Sequence, residues 1–326
     1  LGRVAGGVVQ LATESVEGDH LVADEFHPYT VGESCFHRVP GSLSFVRLSD
    51  YRPRRAVGRR TTEVYSVRVS ESVTSSWWGF ADDGAAAVVH CPRAVEHLLA
   101  QRWPPLGLER TSTEPAEVSL RLEVEVDWTT GSTTAKVDGS VAPGGWERIE
   151  SDLALFAAEH LSGSVAVHAA VLVKDGRAIV LPGASGVGKS TLSHAAHSAG
   201  VTVLTDEYAL VEPTTGLVTG WRRPVRLRRP GGVIERLDLA VASPPVPVAL
   251  VAVLRFERGT TSSWQEVPGS EGVLGLMANT VCARSRPDES FDAALAVVRG
   301  ARCIVGVRGE ASSAVAQLVA ELAASG

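Results

Sequence analysis

The stretch RAIVLPGASGVGKSTLSHAAHSAG, residues 177–200, is the most informative part of the sequence, because three successive patterns in it predict three successive elements. The apolar run at its start predicts a buried strand, and GASGVGKS at 183–190 matches the pattern GxxxxGK(S/T). Residues 191–199 are predicted to be helical, with Gly200 ending the helix. A strand, a glycine-rich loop and a helix in this order predict a phosphate-binding loop.

The chemistry of such a loop explains its residue types. Glycines let backbone N–H groups surround a phosphate, and the N-terminus of the following helix directs its positive end toward it. Lys189 is predicted to neutralise the β- and γ-phosphate oxygens, and Ser190 to bind Mg²⁺. The residues predicted to bind the nucleotide are Gly183, Ala184, Ser185, Gly186, Val187, Gly188, Lys189, Ser190 and Thr191.

Two acidic residues follow the next apolar run, VTVLT. Asp206 and Glu207 should lie at the carboxyl end of that strand, where ligands gather in α/β sheets. One carboxylate can bind the metal together with Ser190, and the other can accept a hydroxyl proton. We predict Asp206 as the proton acceptor. The predicted metal ligands are Ser190, Asp206 and Glu207, and the sequence leaves open which of the two acids is the base and which binds the metal. A solvated strand end is the alternative interpretation.

A hairpin precedes the loop. The apolar runs SVAVHAAVLV and RAIVLPG are joined by Lys174-Asp175-Gly176, and Asp-Gly between strands is a strong signal for a tight antiparallel turn. His168 lies on the first of these strands, beside the predicted loop. Its imidazole could orient the acceptor or contact phosphoryl oxygens, whereas a hydrogen-bonded histidine of the core is the alternative.

An arginine-rich segment, WRRPVRLRR at residues 221–229, lies downstream of the acidic pair. In an extended conformation Arg226 and Arg228 share one face, because side chains alternate along a strand. The two guanidinium groups could clamp a γ-phosphate or a carboxylate such as a peptide C-terminus. An exposed basic edge strand is the alternative interpretation.

The rest of the chain divides into regions by pattern. Residues 1–61 are predicted to be an irregular segment with few long elements, and residues 62–142 a small β-rich module containing EVYSVRVS, AAAVVHC and VSLRLEVEV. In the last of these runs apolar and polar residues alternate, which predicts one buried face. Residues 143–326 begin at Pro-Gly-Gly and contain the phosphate loop, so we predict a second, catalytic domain there.

Composition excludes several classes of protein. The 326 residues are 44% hydrophobic and 21% charged, which excludes a chain that is disordered throughout. A net charge of -6 disfavours nucleic-acid and anionic-membrane partners, and no apolar run is long enough to span a bilayer. Four widely spaced cysteines without a CxxC pair predict reduced, mostly buried thiols. We expect a soluble, cytoplasmic protein; a homo-oligomer is compatible with the sequence.

The stretch from His168 to Pro213 resembles the core of the HPr serine kinase/phosphorylase C-terminal domain and of HPr-kinase-like enzymes from peptide-tailoring clusters. The resemblance implies an α/β fold, namely an HPr kinase/phosphoenolpyruvate carboxykinase-like P-loop domain with a mixed sheet, preceded by a smaller β-rich α+β module. It also implies ATP, Mg²⁺ and phosphorylation of a serine hydroxyl. His168 matches the histidine before the loop, Gly183–Thr191 the phosphate loop and Asp206 the proton acceptor.

Three features depart from true HPr kinases. Glu207 stands where they carry a second aspartate, an EIRGxG-type signature is missing downstream, and the N-terminal module differs. These departures favour the kinase-like relatives that modify a peptide or a metabolite.

The leading hypothesis is therefore an ATP- and Mg²⁺-dependent kinase that transfers the γ-phosphoryl group to a hydroxyl. Serine in a peptide or protein is the favoured acceptor. A small-molecule hydroxyl kinase of specialised metabolism, using the same site, is the second hypothesis. The third is a non-catalytic, nucleotide-dependent module that binds a peptide by strand addition.

Overall fold

The computed structural model describes the side chains of residues 74–127, 132–228 and 234–324. Before residue 74 it describes the main chain of five strands alone. The side chain of Cys35 and residue Arg229, which belong to sequence patterns described above, lie outside the described residues.

The first half of the chain is rich in strands, which agrees with the prediction for residues 62–142. Its strands are β1 Val8–Thr13, β2 Thr30–Val31, β3 Ser34–Val39, β4 Ser42–Arg47, β5 Glu63–Arg68, β6 Thr74–Phe80, β7 Ala86–Pro92, β8 Glu109–Thr111, β9 Leu120–Asp127, β10 Ser132–Val137 and β11 Ser140–Ala142. A 3-10 turn, Arg93–Val95, and helix α1, Glu96–Ala100, follow β7. Along β9 the side chains of Leu122 and Val124 are buried and those of Arg121 and Glu125 are exposed, so the predicted alternation is confirmed.

The segment predicted to be irregular contains four of these strands, none longer than six residues. Strands β3 and β4 pair antiparallel, with Ser34 opposite Arg47 and Val39 opposite Ser42. The two residues between them are Pro40-Gly41, a dipeptide typical of turns. That short signal between two runs of mixed polarity was too weak to indicate a hairpin.

The second half alternates strands and helices. Its strands are β12 Val165–Lys174, β13 Arg177–Pro182, β14 Thr202–Thr205, β15 Tyr208–Val211, β16 Val218–Gly220, β17 Val225–Arg228, β18 Ile234–Leu237, β19 Val248–Phe256, β20 Ser263–Val267 and β21 Arg302–Arg308. Its helices are α2 Gly145–Glu159, α3 Lys189–Ser198, α4 Gly269–Met277, α5 Pro287–Arg299 and α6 Ala311–Ala323. In the described part of the chain, no helix is long and apolar enough to cross a membrane.

Two compact units interleave along the chain. The first comprises Leu1–Trp77, Val88–Arg102 and Arg121–Ile149, and the second comprises Trp78–Ala87, Trp103–Leu120 and Glu150–Gly326. A six-stranded sheet has the order β11-β10-β9-β7-β6-β8. The domain boundaries at 61/62 and 142/143 stay a prediction from the sequence.

The second unit is built on a mixed, eight-stranded sheet of order β16-β15-β12-β13-β19-β21-β20, with β14 also paired to β12. Strand β12 runs antiparallel to β13, β14 and β15, whereas β13, β19 and β21 are mutually parallel neighbours. Because β13 and β14 are both antiparallel to β12, they run in the same direction. The carboxyl ends of β13, β14, β19 and β21 therefore point toward one edge of the sheet.

The predicted hairpin is confirmed. Strands β12 and β13 pair antiparallel in register from Ala169 opposite Pro182 to Lys174 opposite Arg177. Both turn residues have positive φ, 51° at Asp175 and 71° at Gly176. This is the left-handed conformation that a two-residue hairpin turn requires and that Asp-Gly accepts.

Apolar helices cover both faces of this sheet. On one face, Val167 and Val171 of β12 pack in a cluster with residues of α4 and α5 such as Leu276 and Val297. On the other face, Leu172 belongs to a cluster with residues of α3 and α6. Side chains alternate between the faces along β12, as in a strand buried on both sides. The three described cysteines, Cys91, Cys282 and Cys303, are buried free thiols, as predicted.

Candidate phosphate-binding site

The glycine-rich loop connects the carboxyl end of β13 to the N-terminus of α3. Gly186 and Gly188 have φ of 89° and 87°, in the left-handed region that favours glycine. Gly188 is the N-cap residue of α3, and no side chain caps that helix. The N–H groups of a first helical turn have no partner inside the helix. The loop thus ends at the uncapped N-terminus of a helix, a kind of position that favours anions.

Lys189 is the first residue of α3, and its side chain folds back over the loop. Its Nζ donates hydrogen bonds to the carbonyl oxygens of Gly183 at 2.6 Å and Ala184 at 3.0 Å. Burial lowers the pKa of Lys189, while Glu207 and Asp206 raise it. The ammonium group is therefore held at the two residues that begin the loop.

Asp206 and Glu207 form a bend between β14 and β15. The hydroxyl of Thr205, which is buried, accepts hydrogen bonds from the backbone N–H of Glu207 at 3.1 Å and of Tyr208 at 3.3 Å. A threonine hydroxyl commonly turns the chain in this way. The bend directs Asp206 into the protein at the edge of the sheet where the loop begins.

Ser190 and Asp206 are in direct contact. The Ser190 hydroxyl donates a 2.6 Å hydrogen bond to Oδ2 of Asp206, and Oδ1 of the same carboxylate is buried without a hydrogen-bond partner. Burial raises the pKa of Asp206, and the Ser190 hydrogen bond and Arg223 oppose that rise. A buried carboxylate oxygen without a partner is unfavourable, so it marks a position where a ligand atom or a proton fits.

His168 lies on β12 beside this pair. Its backbone carbonyl accepts a 3.0 Å hydrogen bond from the N–H of Gly183, which ties the strand to the first residue of the loop. Its ring lies 5.8 Å from that of Tyr208, centroid to centroid. Burial lowers the pKa of His168 to about 4, with Lys189 and Arg223 acting in the same direction. The imidazole is therefore neutral at physiological pH and can accept or donate a hydrogen bond.

Glu207 is paired with an arginine that the motif did not indicate. Arg223 Nη2 donates a 2.7 Å hydrogen bond to Glu207 Oε2, and the side chains are 7% and 19% exposed, respectively. Nε and Nη1 of Arg223 are buried without a partner. The arginine-rich segment predicted Arg226 and Arg228 as the functional arginines instead. Arg223 precedes Pro224 and lies outside any strand, so the alternation of side chains along a strand did not indicate it.

The two arginines selected from the sequence occupy different environments. Arg226 is half-buried and its Nη2 donates a 3.2 Å hydrogen bond to Ser151 Oγ, while its charge lowers the pKa of Asp206. Arg228 is exposed at the end of β17. Both alternate with buried Val225 and Leu227, so the predicted shared face agrees with the burial pattern.

A buried acid on α2 balances this group of arginines. Glu150 accepts hydrogen bonds from Arg236 at 2.8 Å and 3.2 Å, and Arg226 and Arg223 also lower its pKa against the effect of burial. The sequence contained no signal for this partner, because Glu150 and Arg236 are 86 positions apart.

Most of the predicted residues thus meet at one place. Lys189, Ser190, Asp206 and His168 interact with one another through hydrogen bonds or charge, and Glu207 joins them through Arg223. The described residues contain no group of three or more His, Cys, Asp or Glu side chains that could hold a metal by itself. The oxygen atoms of Ser190 and Asp206 are nevertheless of the hard type that Mg²⁺ prefers when substrate phosphates supply further ligands.

Comparison with solved structures gave several matches, among them an HPr(Ser) kinase/phosphatase. The HPr(Ser) kinase/phosphatase from Coxiella burnetii matches 48% of this chain and 98% of its own, at 14% sequence identity and a TM-score of 0.27. A likeness this distant decides neither the fold nor the activity of the chain. No family model and no curated protein matches the chain.

Proposed function

We propose that the protein is an ATP- and Mg²⁺-dependent kinase that transfers the γ-phosphoryl group to a hydroxyl, that of serine in a peptide or protein. The supporting observation is the hydrogen bond between Ser190 and Asp206 beside Lys189, on elements that the chain brings together at one sheet edge. A hydroxyl, a carboxylate and an ammonium group at the start of a helix suit phosphoryl transfer, which depends on positioning and charge stabilisation.

In this proposal the loop binds the phosphates of ATP. The N–H groups of the loop and of the uncapped first turn of α3 donate to phosphate oxygens, since they favour an anion there. Lys189 exchanges the carbonyl oxygens of Gly183 and Ala184 for phosphate oxygens, which lie within reach of the same flexible side chain. Its charge then stabilises the negative charge of the transferred group.

Mg²⁺ fits beside Ser190 and Asp206. Ser190 Oγ and Asp206 Oδ2 would hold the ion, with ATP phosphates as further ligands. The metal would neutralise charge on the phosphates. Glu207 forms an ion pair with Arg223, so it would hold the Arg223 side chain in place and would not bind the metal directly.

Asp206 orients the acceptor and takes its proton. Oδ1, which is buried without a partner, accepts the hydrogen bond of the acceptor hydroxyl. As the hydroxyl oxygen forms its bond to the γ-phosphorus, the bond from that phosphorus to the β-phosphate bridging oxygen breaks, and the proton passes to Asp206. The neutral imidazole of His168 donates to or accepts from the reacting oxygens without adding charge.

The test is product analysis by mass spectrometry. The protein would be incubated with ATP and Mg²⁺ together with serine-containing peptides and, separately, small hydroxyl metabolites. We expect a serine peptide to gain the mass of one phosphoryl group in a Mg²⁺-dependent manner. Gain on a metabolite alone would instead establish the small-molecule kinase. Tight ATP binding with no acceptor modified would favour the non-catalytic module and remove the proposed role of Asp206.

A further inference from the structure

Arg308, the last residue of β21, lies against the glycine-rich loop, although it is about a third of the chain away in sequence. Its Nη2 donates hydrogen bonds to the carbonyl oxygens of Val187 at 2.9 Å and Gly188 at 3.1 Å. Its Nη1 donates to the carbonyl oxygen of Gly309 at 3.2 Å. The hydrogen bonds of the Arg308 side chain thus go to main-chain carbonyl oxygens, and two of these belong to the loop.

The environment of Arg308 is unusual for a charged group. The residue is 4% exposed, and its guanidinium carbon lies 4.8 Å from the ring centroid of Phe256. Among the described residues no carboxylate forms an ion pair with Arg308; Glu310 acts on it only at longer range. A buried charge without a counter-ion is unfavourable unless other groups compensate it. Here the carbonyl oxygens, the aromatic face and an anion in the loop can do so.

The contact holds the peptide group between Val187 and Gly188, and it reinforces the next one, whose Gly188 carbonyl also accepts a 3.1 Å hydrogen bond from the N–H of Leu192. In a trans peptide the C=O and the following N–H point in opposite directions, and the chain has no cis peptide among its described residues. Carbonyls of Val187 and Gly188 that point to Arg308 therefore direct the N–H groups of Gly188 and Lys189 away from it. A side chain at position 188 would also collide with Arg308 Nη2, which gives a second reason for glycine there.

We propose that Arg308 is a positioning residue for phosphate binding, holding the N–H groups of Gly188 and Lys189 toward the bound phosphates. The inference rests on the proposed nucleotide-binding function and adds a residue that lies outside the loop motif. Arg308 acts through the loop backbone and contributes a nearby positive charge; it takes no part in proton transfer.

The experiment uses the full chain and three variants. R308K keeps the charge but cannot donate from a planar fork, and F256L removes the ring from a 39% exposed position that should tolerate the change. R255K is the matched control, because the side chain of Arg255 is 75% exposed. MgADP and magnesium pyrophosphate are the probes, and their affinities are measured by calorimetry.

We expect R308K to bind both probes about tenfold more weakly and F256L about threefold more weakly than the parent protein, while R255K is unchanged. In backbone amide NMR spectra of the folded, ligand-free proteins, the signals of Gly188 and Lys189 should move in R308K and stay in place in R255K. A purely structural role would lower the unfolding midpoint without moving these signals selectively.

Two results would overturn the inference separately from the proposed function. If the parent protein binds MgADP and both R308K and F256L bind it equally well, Arg308 does not position the loop. If R308K leaves the Gly188 and Lys189 signals unmoved, the contact is not formed in solution. Failure of the parent protein to bind either probe would instead contradict the nucleotide-binding function, and the phosphate role of Arg308 with it.

Discussion

Ser190 and Asp206 share a hydrogen bond of 2.6 Å, across 16 positions of sequence and from two different elements. The contact joins the first turn of α3 to the bend after β14 and leaves the second carboxylate oxygen of Asp206 buried without a partner. Burial raises the pKa of that carboxyl group. Asp206 is therefore an acid whose replacement by the isosteric Asn tests its chemical role.

Asp206→Asn should slow phosphoryl transfer strongly while keeping the fold. Loss of the proton acceptor is expected to lower kcat by about a hundredfold to ten-thousandfold. The free energy of unfolding should stay equal or rise, because the ionised carboxylate is the form that burial disfavours. Asp175→Asn, in the exposed hairpin turn, makes the same charge change and should leave both quantities unaltered. Activity in Asp206→Asn equal to that of the control would contradict the role assigned to Asp206.

Lys189→Met should weaken nucleotide binding without unfolding the protein. The ammonium group is buried over the loop and would contribute charge-assisted hydrogen bonds to phosphate, so MgADP affinity should fall about ten- to hundredfold. Lys174→Met is the control, since the Lys174 side chain is 44% exposed on the hairpin. Calorimetric titration measures both. Equal affinities in the two variants would place the phosphates elsewhere.

Arg223→Met should destabilise the fold, in contrast to Arg228→Met. Removing Arg223 leaves Glu207 in a largely buried position without its partner, which is expected to lower the free energy of unfolding by about 3 kcal/mol. Arg228 is exposed, and its removal should change that free energy by less than about 0.5 kcal/mol. Urea denaturation provides the measurement. The double variant with Glu207→Gln should recover part of the loss; no recovery would show that the pair is not energetically coupled.

The free energy of unfolding should decrease as the pH is lowered, because His168 has a lower pKa in the folded protein than in the unfolded chain. The unfolded chain takes up this proton near the ordinary pKa of 6.5, whereas the folded protein does so only near pH 4. Stability from this group is complete above pH 6.5 and is lost as the pH falls from there toward 4. Between pH 7 and pH 5 the loss should be about 1–2 kcal/mol, allowing for partial solvent screening of the ring.

His168→Gln tests this pH dependence. The free energies of unfolding of parent and variant are compared at pH 7 and pH 5, so that contributions common to both proteins cancel. The variant should lose less stability than the parent over this interval. A parallel loss in the two proteins would show that His168 keeps its ordinary pKa in the folded state.

The part of the fold nearest the motif could be predicted from local sequence. Asp175-Gly176 specifies a two-residue turn by itself, and the apolar runs around it leave little choice of pairing. The glycine-rich loop and the helix after it were also predicted from local sequence. The helix begins at Lys189, two residues earlier than predicted. Strand β20 was missed because its sequence SWQEV is mostly polar and pairs only at the sheet edge.

The parts of the site that sequence reasoning missed are contributed by long-range contacts. Arg223 lies in an irregular segment, and Glu150 lies on helix α2 before the hairpin. Arg308 is the last residue of β21, close to the C-terminal helix α6 in sequence. Each is an ordinary charged residue in its local context. Only the folded topology, with several strand ends at one sheet edge, shows which of the many arginines and acids face the loop.

The hairpin and the Arg308 contact also differ in when they can form. A hairpin closed by a two-residue turn forms on the order of 1–10 μs. The hydrogen bond from Arg308 to Gly188 spans 120 positions and cannot form until β21 has joined the sheet, which requires closing a far larger loop of chain. A partly folded protein therefore has its loop anchored at one end, and has the Gly188 carbonyl bonded to the N–H of Leu192, but lacks the hydrogen bonds from Arg308 to Val187 and Gly188. If the loop binds nucleotide as proposed, that affinity should arise at the last stage of folding and should report complete assembly of the sheet.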